Sequence, residues 1–244
     1  MTKPKYKNAK SARKKIPFRY PSIKTEAQKY VGEQCVAFQK YDGSNLWFKW
    51  TQEKGWQHFG TRKFYITADH KLFGPAYKIF LEKYADGILS VCRRYKEYRN
   101  TKEVIAFCEY YGANSFSGIH QPLDKKELKL FDVYLTGIDF VSPHNFLHHF
   151  GKLDTAEVVF QGTLSLEFIV DVYNDKYNVN EGVVIKGNKL KRRRKGVNEF
   201  EVWMAKVKTQ SYLQELNDIC GENPDLKKEY EEMVHLHRNL SSNS

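Results

Sequence analysis

Lys40-Tyr41-Asp42-Gly43-Ser44-Asn45 joins two strand-like runs, Cys35-Val36-Ala37-Phe38 before it and Leu46-Trp47-Phe48-Lys49-Trp50 after it. Asp-Gly is a turn dipeptide, so the stretch reads as strand, tight turn, strand, with Lys40 at the end of the first strand. A lysine amine attacks phosphorus only when neutral. At an ordinary pKa of about 10.4, on the order of one molecule in a thousand is neutral near pH 7.4. Nearby positive charge and partial burial both depress a lysine pKa. Lys206 and Lys208, alternate residues of a later strand that face one side, are the expected source of that charge.

Working outward, a turn at Glu53-Lys54-Gly55 leads into Trp56-Gln57-His58-Phe59. Residues 75–98 read as helix, with Tyr77, Phe80, Leu81 and Tyr84 on one face and Ile88, Val91 and Tyr95 continuing the stripe. Strands follow over 104–110 and 128–135. The pattern weakens over 138–180, where it predicts only short helices at 145–150 and 164–172. Two strands, 181–186 and 200–208, flank a basic loop, Lys189-Leu190-Lys191-Arg192-Arg193-Arg194-Lys195, bracketed by Gly187 and Gly196. Helices are predicted over 210–219 and 224–237. Strands interrupted by helices without regular βαβ alternation predict an α+β fold built on antiparallel sheet.

Alone, Lys-x-Asp-Gly is an ordinary surface turn. Its weight comes from an ordered series of segments downstream: Gly60-Thr61-Arg62, then Phe107-Cys108-Glu109-Tyr110-Tyr111-Gly112 and Leu130-Phe131-Asp132-Val133-Tyr134. Glu181-Gly182-Val183-Val184-Ile185-Lys186 and Ala205-Lys206-Val207-Lys208 complete the set. These segments resemble motifs I, III, IIIa, IV and V of the covalent nucleotidyltransferases, the polynucleotide ligases and mRNA capping enzymes. The resemblance spans residues 40–208. It is closest to ATP-dependent RNA ligases of the nick-sealing phage and kinetoplastid-editing type, on Asn45 five residues past the lysine, on Phe131 and on the Glu-Gly-Val-Val-Ile-Lys form of motif IV. Asp42 departs from that type, which often has histidine there, and leaves the preference between RNA and DNA open.

The resemblance implies an ATP-grasp-like, antiparallel-sheet nucleotidyltransferase domain over 21–208. A basic arm over 1–20 precedes it and a short helical extension over 209–244 follows. About 36 residues follow Lys208, too few for the OB-fold barrel of DNA ligases and capping enzymes. Lys40 would attack the α-phosphate of ATP, and Lys206 and Lys208 would neutralise the charge that develops. Phe131 would stack on adenine, Glu109 would hold the ribose, and Glu181 and Val183 would complete the nucleotide pocket. Asn45 and Arg62 would bind the nucleotide or the polynucleotide end. Asp42, Glu109 and Glu181 would orient water around Mg2+ or Mn2+. AMP would pass to a 5′-phosphate, and a 3′-hydroxyl would displace it. Arg192, Arg193 and Arg194 would clamp phosphates without reading sequence. Two alternatives stand beside this reading, a minimal ATP-dependent DNA ligase and an inactive nucleic-acid-binding scaffold.

Composition agrees with a polyanionic partner. The 244 residues hold 40 Lys and Arg against 29 Asp and Glu, a net charge of +11. Residues 3–19 carry only basic charged side chains. No apolar run approaches the roughly 18 residues of a membrane span. The four cysteines, Cys35, Cys92, Cys108 and Cys220, form no Cys-x-x-Cys pair, so a zinc site and a disulfide framework are not expected. His144, His148 and His149 lack a fourth ligand at zinc spacing. The expectation is a cytoplasmic monomer acting on RNA ends in a duplex or splint, with DNA or hybrid strands as further candidates.

Overall fold

The computed structural model describes residues 19–113, 124–192 and 198–220. The side chains of residues 190–200, 219 and 220 fall outside that description, as do Arg193 and Arg194 entirely, residues 1–18 of the expected arm, and the expected helix at 224–237. Two antiparallel sheets form the body. One has strand order β10-β9-β1-β8, from β10 (Asn198–Lys208), β9 (Gly182–Arg192), β1 (Gln34–Lys40) and β8 (Val158–Thr163). The other has order β4-β3-β2-β5-β6-β7, from β4 (Tyr65–Ile66), β3 (Gly55–Thr61), β2 (Gly43–Thr51), β5 (Glu103–Tyr111), β6 (Glu127–Leu135) and β7 (Asp139–Phe140). Tyr41 and Asp42 carry the chain from β1 in the first sheet to β2 in the second. Lys40 is therefore the last residue before the crossing.

Strand alternation divides the first sheet cleanly. Cys35, Ala37, Val183, Ile185, Ala205 and Val207 point to one face, where they form a core with Phe168, Ile169 and Val172 of helix α4 (Leu166–Tyr173). Ser165 caps α4, accepting a hydrogen bond from the Phe168 N–H at 3.0 Å. The opposite face carries Phe38, Lys40, Val184, Lys186, Lys206 and Lys208, all of which line a cavity.

The main core lies under α1 (Gly74–Phe80), a wide π turn (Leu81–Ala85) and α2 (Asp86–Arg94), packed on the second sheet. Its buried stripe is Ala76, Phe80, Tyr84, Ile88 and Cys92. A spacing of four drifts by roughly 40° per step on an α-helix, and the wide turn absorbs much of that drift. Leu81, expected inside, is 40% exposed as a result. Phe80 stacks on Phe48 of β2 at 4.0 Å. The helix ends at Arg94, short of the expected 98.

Three further elements correct the sequence reading. β8 is a strand in the weak-pattern region. Helix α3 (Pro143–Phe150) starts earlier than expected, at the Ser142 cap with proline in its first turn. β9 does not stop at Lys186. It runs through Gly187 to Arg192, because β10 pairs with it along its whole length, Phe200 opposite Leu190 and Asn198 opposite Arg192. The C-terminal helix α5 (Gln210–Cys220) lies near the expected place. Among the described residues no helix is long and apolar enough to cross a membrane, and no OB-fold barrel is present.

Candidate active site

Register fixes the centre of the site. In β9, Gly182 pairs with Lys40 of β1 on one side and Lys208 of β10 on the other. Glu181, just before Gly182, therefore stands between the two lysines. Its Oε2 is 2.6 Å from Lys40 Nζ, and its Oε1 is 3.2 Å from Lys208 Nζ. Glycine is required here: φ is +132°, and a Cβ would lie 2.1 Å from the Val207 carbonyl oxygen. Without that close approach the three charged groups could not share one end of the sheet.

The cavity, about 650 Å³, opens between the two sheets at this point. From the second sheet come Asn45 of β2, Arg62 after β3, Glu109 of β5 and Phe131 of β6; Asp42 comes from the crossing. Asn45 and Glu109 are paired directly across β2 and β5. The Asn45 Oδ1 is buried with no hydrogen-bond partner among the described residues. Such an atom costs about 1–3 kcal/mol unless something fills its place, which marks it as a contact for a bound group. Lys206, Lys208, Glu181 and Lys40 complete the wall. Nearly all the candidates named from sequence thus share one cavity.

Val183 is one exception. Alternation turns it away from the cavity into the core under α4, where it is fully buried, and its neighbour Val184 lines the cavity instead. Arg192 lies on the β9–β10 hairpin, at the end of β9 remote from Gly182.

The electrostatics also differ from expectation. Burial works to lower the Lys40 pKa, but the carboxylates of Glu181, Glu109 and Asp42 outweigh it, and the net shift is upward. Sequence spacing showed Lys206 and Lys208 as neighbours and missed that Glu181 stands between Lys208 and Lys40. Burial pushes the Glu109 carboxyl up to about 8; Lys40 and Arg62 pull it down, while Glu181 and Asp42 add to the rise. Between about 4.5 and 8, then, the folded protein holds a proton that the unfolded chain has released, and stability falls as pH rises through that window. Glu109→Gln, always neutral, is expected to raise the Tm of the nucleotide-free protein by several degrees at pH 7.5 and hardly at all at pH 4. Scanning calorimetry at the two pH values checks this, and an equal shift at both would contradict the raised Glu109 pKa.

Sequence reasoning missed one group at this site. Lys186, the last residue of motif IV, crosses to the other sheet and donates to Asp132 Oδ2 and the Phe131 carbonyl, each at 2.7 Å. Tyr20, at the edge of the expected arm, is buried and donates its hydroxyl to the same Asp132 oxygen at 2.5 Å. The signal was present as a lysine and an aspartate inside otherwise apolar strands. Among the described residues, no three His, Cys, Asp or Glu side chains are grouped so as to hold a metal ion directly.

Several solved structures of Naegleria gruberi RNA ligase share this fold. A variant with ATP and Mn is 15% identical, with a TM-score of 0.55 over 82% of this chain and 59% of that one. A variant with AMP and Mn is 13% identical, with a TM-score of 0.54 over 82% and 58%. A third, with PPi, is 14% identical, with a TM-score of 0.50 over 82% and 58%. The chain spans a little over half the length of these structures, and at this identity the likeness shows the nucleotidyltransferase fold. No curated protein sequence matches the chain. The sequence profile described as RNA ligase matches residues 33–208, from the start of β1 to the last cavity lysine. On that match over most of its length, the chain belongs to the RNA ligase family.

Proposed function

We propose that the chain is an ATP-dependent RNA ligase that joins 3′-hydroxyl and 5′-phosphate ends through AMP carried on Lys40. The observation that carries this reading is the bridge at the end of the first sheet, where Glu181 holds Lys40 and Lys208 together at the mouth of a nucleotide-sized cavity. In the resting state Lys40 is a cation that attracts triphosphate. Glu181, 2.6 Å away, takes the Lys40 proton as the amine attacks the α-phosphorus, and the bond to the pyrophosphate oxygen breaks. Lys206 and Lys208 stabilise the charge building on the α-phosphate. Phe131 stacks on adenine, Glu109 bonds the ribose, and Asn45 and Arg62 hold phosphate or sugar oxygens. Asp42, Glu109 and Glu181 would hold a divalent ion through water, and the ion would supply charge neutralisation for the phosphates. AMP then passes to the 5′-phosphate, and the 3′-hydroxyl displaces it. The catalytic unit is residues 21–208, acting as a cytoplasmic monomer on duplexed or splinted RNA. The neighbours solved with ATP, AMP and Mn support the choice of nucleotide and ion.

The test is intact-protein mass spectrometry after stripping with pyrophosphate and incubation with ATP or GTP and Mg2+, followed by peptide mapping. A single AMP adduct on Lys40, with ATP only, is expected. A GMP adduct would point to capping chemistry, and no adduct to a binding scaffold.

A further inference from the structure

The turn after β3 holds a side chain that the fold does not use. Phe64 is 55% exposed, more than any other exposed large hydrophobic side chain among the described residues, and it is the only aromatic in that group. A lone exposed phenylalanine is unremarkable; its setting is not. The Thr61 N–H donates to the Phe64 carbonyl at 2.9 Å. The Thr61 hydroxyl accepts from the backbone N–H groups of Lys63 and Phe64 at 3.3 and 3.2 Å. The Trp47 indole donates to the Thr61 carbonyl at 2.8 Å. Gly60 permits the close pass, since a Cβ there would meet the Phe64 carbonyl oxygen at 2.2 Å. The backbone beneath Phe64 is thus pinned to β2 and β3 while the ring is left outside. Arg62, Lys63 and Phe64 all line the Lys40 cavity, and the charge of Arg62 acts inward on Glu109.

We infer that Phe64 is a stacking platform for the base of the nucleotide that bears the 5′-phosphate. This rests on the ligase reading above. The 5′-phosphate must reach Lys40 to receive AMP, so its own base is the part of the polynucleotide nearest the cavity rim. An aromatic face takes any base, as a ligase without sequence preference requires. Arg62 and Lys63 on the same turn supply cations for the flanking phosphates. The pinned turn presents the ring already oriented, which removes an ordering cost on binding. Phe131 cannot serve the same base, because it lies deeper, edge-on to Tyr20 at 5.2 Å. The two rings therefore read two bases, adenine inside and the acceptor base at the rim.

The test uses the full chain, adenylylated beforehand, freed of nucleotide and mixed in a single turnover with a nicked RNA duplex, so that only AMP transfer is timed. Phe64→Leu keeps an apolar side chain and removes the aromatic face. It is expected to slow transfer at sub-saturating RNA about tenfold, and Phe64→Trp to restore it. When the 5′ nucleotide is abasic, the wild-type chain should fall to the rate of the leucine variant, which should fall no further. Wild-type transfer by Phe64→Leu, or an equal loss on the abasic strand, overturns the proposal. So does an effect found only in the KM for ATP of a parallel adenylation assay, which would assign the ring to adenine. Absence of AMP on Lys40 in the wild-type chain is a failure of the ligase reading and takes this proposal with it. Normal adenylation with transfer indifferent to Phe64 is a failure of this proposal alone.

Discussion

Lys40→Ala is expected to lower adenylate formation by on the order of 10^4-fold or more, the loss that removal of a nucleophile brings. Two other lysines of the cavity are already engaged. Lys208 is tied to Glu181 by the same bridge, two strands from the crossing, and Lys186 is sealed against Asp132. Lys40→Arg separates charge from nucleophilicity: it keeps the cation beside Glu181 and should hold ATP, yet it should not label. Lys208→Ala leaves the nucleophile in place and removes a group that stabilises phosphate charge. A smaller loss is expected there, about 10^2 to 10^3-fold. The readout is transfer of label from α-labelled ATP, with nucleotide binding measured in parallel. A Lys40→Ala protein that labels at the wild-type rate would move the nucleophile to another residue.

The features legible in the sequence are mostly those that strand periodicity controls. Lys206 and Lys208 share a face because alternate residues must, and both do line the cavity. The end of the strand at Lys40 was readable because Asp42-Gly43 punctuates two apolar runs, but the change of sheet that follows it was not. Sheet pairing was not readable, and several discrepancies come from that. Val183 and Val184 are interchangeable as letters; only the register of β9 against β1 and β10 decides which faces the cavity. The upward shift of the Lys40 pKa has the same origin. Nothing local to Lys40 shows that Glu181, distant in sequence, will lie at 2.6 Å. β8 escaped because its core-facing side chains are only partly buried and it lies at a sheet edge, so its alternation is faint. Tyr20 escaped because a basic, proline-broken neighbourhood masks one aromatic that plugs the far face of the second sheet.

Asp132→Ala should be the most damaging single substitution for the fold itself, costing about 3–5 kcal/mol out of the roughly 5–15 kcal/mol that a domain of this kind has in total. The reason lies in where the two charges come from. Lys186 belongs to the first sheet and Asp132 to the second, and their side chains are 3% and 2% exposed. Burial pushes the Asp132 carboxyl up and the Lys186 amine down, and each offsets the shift in the other. The ammonium also lies over the rings of Phe38 and Phe131, 5.1 and 5.5 Å from their centres. Removing Asp132 leaves a buried amine that must stay charged without a partner or give up its proton. It also strips the Tyr20 hydroxyl of its carboxylate acceptor. Replacing the whole group with apolar residues removes those penalties together, so the triple variant Tyr20→Phe, Asp132→Leu, Lys186→Met should recover most of the loss. Urea unfolding monitored by tryptophan fluorescence distinguishes these cases. A cost below about 1 kcal/mol for Asp132→Ala alone would mean that water reaches the amine and that the pair does not seal one sheet to the other. In the triple variant the Phe131 carbonyl loses the Lys186 donor that fixes it beside the cavity. Its stability should therefore return before its adenylation rate does, because closing the two sheets together and holding the Phe131 ring toward the nucleotide are separate demands on the same lysine.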